Sequence, residues 1–284
     1  MGPSYIYVDW SRCDGCGHCA DVCDRGAIEV REAPGRSLPE RPEEPRRPEA
    51  VKVSVRASDE RAPVWSLPEA LLVAIVGFAL LIGVQAIFGE ASRQPVSAGL
   101  TLLGYDIALG VPLFFLARRH GVGVLEAFRL DRLPELRTVL LAAVLLVVTI
   151  VFSPTYRIVL TLAGVRAPAS DGPALPQLFG DGPLAVAMAV LVVVIVGPLV
   201  EEVALRGVLL GALDSRIGGW PATLVSALVF SLLHASVYSF LPLLVLGIAL
   251  GRVAVGRRSL WPAIVFHMAY NAWFVVAALY MAGR

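Results

Sequence analysis

The chain has 284 residues, of which 57% are hydrophobic and 17% charged, with a formal net charge of +1 and a mean hydropathy of +0.72. Soluble domains average about 25% charged and about 45–50% apolar residues, so this composition excludes an ordinary soluble enzyme and a disordered chain. A near-zero net charge also leaves no electrostatic footprint for nucleic acid.

The averages hide a division. Residues 1–64 hold 10 basic and 12 acidic residues and all four cysteines, and the remainder is mostly apolar runs. Two parts are expected: a small polar head and a helical membrane body.

The chain does not open on a basic stretch followed by an apolar run and a small-residue cleavage site. A short strand is expected at Tyr5 to Val8, then a cysteine-rich loop, then a second strand at Ala27 to Val30. Residues 1–32 therefore read as a small α+β head. Residues 33–64 form a linker, because Leu38 to Glu49 (LPERPEEPRRPE) is too rich in proline and charge to build a core. Val51 to Arg56 alternates apolar and polar residues and gives a weak edge-strand signal.

From residue 65 the apolar runs follow one another, and a span needs about 20 apolar residues. Spans are expected at Leu67–Phe88, Val96–Ala117, Leu136–Ala163, Pro183–Leu213, Pro221–Ala235, Phe240–Val255 and Leu260–Met281. The fold class is thus an α-helical polytopic membrane protein with about seven transmembrane helices. The fourth run is long for one crossing and contains Gly197-Pro198, where a kink or a break into two helices is expected. Loop arginines set the orientation. Arg118, Arg119, Arg129, Arg132 and Arg137 follow the second span, and Arg257 and Arg258 follow the sixth. Placing these loops inside puts the N-terminus in the cytoplasm and the chain in the cytoplasmic (inner) membrane.

In the head, Cys13, Cys16, Cys19 and Cys23 make a C-x2-C-x2-C-x3-C run. Thiolates this close suit one soft metal centre better than disulfides in a cytoplasmic segment. The run, with Gly15 and Gly17 beside Cys16, resembles one half of a bacterial-type ferredoxin, which implies a [4Fe–4S] cluster on these four cysteines. Asp24 stands where that family usually has proline. In two-cluster ferredoxins the fourth cysteine of each run serves the other cluster, yet this chain has one run. Two readings stay open: heads of two chains pair and exchange Cys23, making a homodimer, or one chain holds the cluster alone.

Ionisable groups within apolar spans are costly and mark function. Glu202 and Arg206 are i,i+4 and can pair. Glu201 points about 100° away and is left on another face. Phe230 and His234 share a helical face, as do His267 and Asn271. A free glutamate, two histidines and an asparagine can activate water and stabilise an oxyanion. Asp106, Gln85 and Arg157 are weaker intramembrane signals.

The ordered motifs EExxxR, FxxxH and HxxxN resemble the CPBP family of intramembrane proteases. That family includes the type II CAAX prenyl endopeptidases and bacterial Abi-type immunity proteins. The likeness covers about residues 183–275 of a body at 65–284, and Leu205 stands where the family often has phenylalanine. The resemblance implies that Glu201 activates water and that His234, His267 and Asn271 stabilise the transition state. Glu202 and Arg206 are implied as structural support, with Phe230 beside them.

The expected function is hydrolysis of a membrane-associated peptide at a bilayer-embedded site. The head would sense redox state or iron, or dimerise the chain. Two chemistries stay open: glutamate-activated water, or catalytic zinc on Glu201, His234 and His267, a His2Glu set. A non-catalytic immunity or scaffold protein of the same fold is the alternative. An electron-transfer protein is disfavoured, since no second cluster motif or haem-ligand pattern carries the electron onward.

One tension remains. His234 lies about 20 Å along its helix from Pro221, whereas Glu201 is expected near the cytoplasmic end of the fourth span. Either the fifth helix begins well outside the hydrocarbon core, or the expected boundaries are wrong.

Overall fold

The structure, a computed structural model, describes residues 5–6, 53–54, 65–88, 95–166, 179 and 182–282. The chain divides into two compact units, Met1–Ala62 and Pro63–Arg284. In the first, β1 (Tyr5–Ile6) pairs antiparallel with β2 (Val53–Ser54), Tyr5 opposite Ser54. The cysteine run and the strand expected at Ala27 to Val30 lie outside the described residues.

The second unit is helical. Its elements are α1 (Leu67–Phe88), α2 (Pro95–Arg119), α3 (Val124–Ala127) and α4 (Leu136–Leu162). After them come α5 (Pro183–Ile217), α6 (Gly219–Leu233), α7 (Phe240–Ala254) and α8 (Trp261–Ala282). Ser66 starts α1 with a capping box: its amide and hydroxyl donate to Glu69 Oε2 at 2.9 and 2.8 Å.

Gly99–Arg119, Leu136–Leu162, Pro183–Ile217 and Trp261–Tyr280 are long and apolar enough to cross a membrane. Leu67–Leu80, Gly219–Leu233 and Phe240–Ala254 are shorter apolar stretches. The seven expected spans thus appear as helices, and among the described residues four have spanning length by this measure, with α1 running 22 residues in all. α6 and α7 have 15 residues each, about 22 Å at 1.5 Å per residue, short of a hydrocarbon core of about 30 Å. The outer face of α4 exposes Val139, Leu140, Val144, Val147, Val148 and Val151. A contiguous apolar face of this extent belongs against lipid rather than water.

Of the kink or break expected at Gly197-Pro198, the break into two helices is corrected. α5 runs 35 residues without a break. Pro198 lies in the first turn of a six-residue α-helical segment, Gly197–Glu202, between two π-helical stretches, Val190–Val196 and Val203–Leu209. The wider winding around that segment lets the helix pass a residue with no N–H to give.

Gly218, at φ +80°, turns the chain from α5 into α6. Glu201 lies about 24 Å from Ile217 and His234 about 22 Å from Gly219. The two antiparallel helices therefore bring these residues to one level, which removes the tension between their sequence positions. α6 packs closely on α7 through small residues. A Cβ on Gly247 would stand 2.9 Å from Ala227 Cα, and one on Gly251 would stand 2.8 Å from Thr223 Cγ2. Glycine is required at such an approach.

Candidate active site

The Gly197–Glu202 segment places two glutamates on different faces of α5. Glu202 is fully buried and turned into the bundle, whereas the Glu201 side chain is 24% exposed. Glu202 Oε1 accepts from Arg206 Nη1 at 2.8 Å, the i,i+4 pair expected from sequence. Arg206 Nη2 donates to the Gly247 carbonyl of α7 at 3.2 Å. Its guanidinium carbon lies 4.6 Å from the centre of the Phe230 ring. The pair is charge-balanced and covered by an aromatic face, while Glu202 Oε2 and Arg206 Nε are buried with no hydrogen-bond partner among the described residues.

α8 brings His267 to the same carboxylate. Its Nδ1 is 2.9 Å from Glu202 Oε1, and its Nε2 is 3.9 Å from Glu201 Oε2. His234, the residue that ends α6, directs Nδ1 to the Phe230 carbonyl at 2.8 Å. The Phe230 ring packs against both imidazoles, with centroids 4.6 Å from His234 and 5.5 Å from His267. Asn271 Nδ2 donates to the Val193 carbonyl at 2.8 Å. An amide nitrogen has two protons, so this bond leaves one.

The π-helical stretches take part in this arrangement. Three of their carbonyls accept side-chain donors from other elements: Val193 from Asn271, Leu205 from Ser226 at 3.2 Å, and Arg206 from Arg129 at 3.2 Å. Such stretches interrupt the regular α-helical pairing, and carbonyl lone pairs there are open to partners from outside the helix.

Residues 183–273 match the family described as type II CAAX prenyl endopeptidase Rce1-like. The chain carries an Rce1-like domain. Residues 6–29 match the 4Fe-4S binding domain, and this segment contains Cys13, Cys16, Cys19 and Cys23. Four thiolates so spaced are the donor set such a cluster takes. Over 95 residues the chain is 28% identical to the Bacillus subtilis (strain 168) protein named "Putative membrane peptidase YdiL". The aligned stretch is 34% of this chain and 39% of that protein, so the chain spans about two fifths of the length of the curated relative it matches. No solved structure matches.

The seven residues of the EExxxR, FxxxH and HxxxN motifs fall within the Rce1-like domain. Arg206 and His267 meet at the Glu202 carboxylate, Glu201 joins through His267, Phe230 packs on Arg206 and both imidazoles, and Asn271 joins through Val193. The zinc alternative finds no support in this geometry. Among the described residues, no three His, Cys, Asp or Glu side chains converge as metal ligands would. The shared neighbour of His234 and His267 is the apolar Phe230 ring, and His267 Nδ1 is committed to Glu202.

Asp106 is buried and lies over α5, its carboxylate oxygens 3.7 and 3.9 Å from the position of a Cβ on Gly197, one turn before Glu201. Arg157 reaches Ser239 Oγ at 3.2 Å and lies 5.6 Å from the Tyr238 ring. Gln85 lies outside the described side chains.

Sequence reasoning missed Arg129, Ser226 and the Val193 carbonyl. Arg129 was legible only as one of several loop arginines. In the fold it is tucked under the site, and burial lowers the pKa of its guanidinium while Asp214 opposes the shift.

Proposed function

We propose that the Rce1-like domain is an intramembrane endopeptidase in which Glu201 activates water. The observation that carries this is the contrast between adjacent glutamates. Glu202 is sealed in a pair with Arg206, and Glu201 is part-exposed with a histidine nitrogen 3.9 Å away. That gap is too long for a direct hydrogen bond and short enough for one water to touch both groups.

Glu201 takes a proton from that water, and the oxygen attacks the scissile carbonyl. The second amide proton of Asn271 stabilises the developing oxyanion, joined by the Nε2–H of His234 when that ring is protonated on both nitrogens, because its Nδ1–H already goes to the Phe230 carbonyl; His267 orients the water. Collapse of the tetrahedral intermediate returns the proton to the leaving nitrogen. The type II CAAX prenyl endopeptidase description supports a prenylated, membrane-held peptide as the substrate class.

The arginine-rich loops support a cytoplasmic-membrane protein with the N-terminus and the 4Fe-4S head in the cytoplasm. There the head serves either to sense redox state or iron or to dimerise the chain, the latter if two heads pair and exchange Cys23.

The deciding experiment compares the termini of membrane proteins in cells carrying the wild type and Glu201→Ala. Termini present only with the wild type identify substrates. Full biological function in Glu201→Ala cells would mean that hydrolysis is not the role, and that the domain serves as a scaffold.

A further inference from the structure

Arg129 lies between α3 and α4, outside the matched residues 183–273. It has a left-handed backbone, φ +56°, a strained conformation that a side-chain-bearing residue keeps only where its surroundings hold it there. Its surroundings are three structural elements. Nη2 donates to the Arg206 carbonyl of α5 at 3.2 Å. Nη1 donates to Arg257 at 2.9 Å and to Ala254 at 3.4 Å, carbonyls at and just past the end of α7, where a cation also suits the helix dipole. The Arg129 carbonyl accepts the Leu260 amide at 3.2 Å, one residue before α8 begins. Next to it, Leu130 accepts the Trp261 indole N–H at 2.9 Å.

These three elements build the site. α5 holds Glu201 and Glu202, α7 supplies the Gly247 carbonyl to Arg206, and α8 holds His267 and Asn271. Phe128 adds a wedge: a Cβ on Gly207 would lie 3.4 Å from its ring, beside Arg206.

We propose that Arg129 is a positioning residue, which sets the registry of α8 against α5 and so holds His267 on Glu202 and facing Glu201. The guanidinium is suited to this task because it is planar and presents several donors at fixed angles. A lysine in its place has one flexible point of attachment. The inference rests on the reading of Glu201 and His267 as the reacting centre.

The test uses the full chain in lipid nanodiscs, with Arg129→Lys and Arg129→Gly. The glycine variant removes the guanidinium and relieves the left-handed backbone, which keeps the protein folded. Hydrolysis of a farnesylated CAAX peptide should lose on the order of 100-fold in kcat per folded molecule in both variants, with KM little changed, since misplacement by about 1 Å costs that much. Millimolar guanidinium ion should restore part of the loss in Arg129→Gly and none in Glu201→Gln.

Independently of activity, the histidine nitrogen NMR signals should show that the His267 Nδ1–H bond to Glu202 is weakened in both variants. Unchanged kcat per folded molecule together with an unchanged His267 signal would overturn the inference. If the wild type cleaves no peptide, the endopeptidase reading fails. The His267 signal still decides whether Arg129 positions that ring.

Discussion

His267 Nδ1 lies 2.9 Å from Glu202 Oε1, the same oxygen that accepts the Arg206 Nη1 proton at 2.8 Å. A carboxylate only accepts, so the imidazole carries its proton on Nδ1 and turns Nε2 toward Glu201. The buried glutamate thereby fixes both the tautomer and the direction of the histidine. On the proposed mechanism, structural and chemical work are divided between neighbouring residues of one helix.

That division predicts opposite outcomes for two isosteric changes. Glu202→Gln leaves Arg206 buried at zero exposure without its counter-charge, which should destabilise the protein by about 3–5 kcal/mol. Glu201→Gln removes a part-exposed group and should cost under about 0.5 kcal/mol while abolishing hydrolysis. Denaturant unfolding in detergent, followed by tryptophan fluorescence, measures both. Equal destabilisation by the two changes would refute the assignment.

Packing between α6 and α7 predicts a second contrast. Gly247 faces Ala227 at a distance no added Cβ can occupy, and its carbonyl holds Arg206. Gly247→Ala should therefore cost about 1–3 kcal/mol and lower activity with it. Gly211, on α5, has nothing within 4 Å of its added Cβ. Gly211→Ala should stabilise by about 0.5–1 kcal/mol through helix propensity. The melting temperatures should move in opposite directions, and a fall in both would show that α5 and α6 pack differently.

Chelation supplies a third test, aimed at the Rce1-like domain. Its described residues do not converge three ligating side chains. Exhaustive treatment with a strong zinc chelator should leave peptide hydrolysis unchanged when iron in the head is monitored separately. Loss of activity that zinc alone restores would reinstate the His2Glu reading of Glu201, His234 and His267.

The helices were legible because apolar runs of helical length are bounded by glycine, proline and arginine. Leu67–Phe88 and the start of the fourth run at Pro183 match the expected limits. The Glu202–Arg206 pair was legible because i,i+4 spacing is local. What the sequence hid was longer in range. Asn271 reaches Val193 and Arg129 reaches Arg206 across 78 and 77 residues. Both use carbonyls of π-helical stretches, which no residue pattern on α5 announces. The break expected at Gly197-Pro198 is absent for the same reason, since proline interrupts a regular α-helix but not one whose winding is already relaxed on both sides.

The head allows a fourth prediction, on how its cysteines are shared. If two chains exchange Cys23, each cluster takes Cys13, Cys16 and Cys19 from one chain and Cys23 from the other. A Cys23→Ser chain alone should then assemble no stable four-iron cluster. A chain with serine at positions 13, 16 and 19 should fail as well. Co-expressed, with different affinity tags and purified through both, the two should recover one cluster per pair. One chain supplies the three-cysteine set and the other supplies Cys23. Iron and sulfide counts with the visible spectrum read the outcome. If each chain instead uses its own four cysteines, the mixed pair lacks a complete ligand set on either chain and should hold no more iron than the two variants alone.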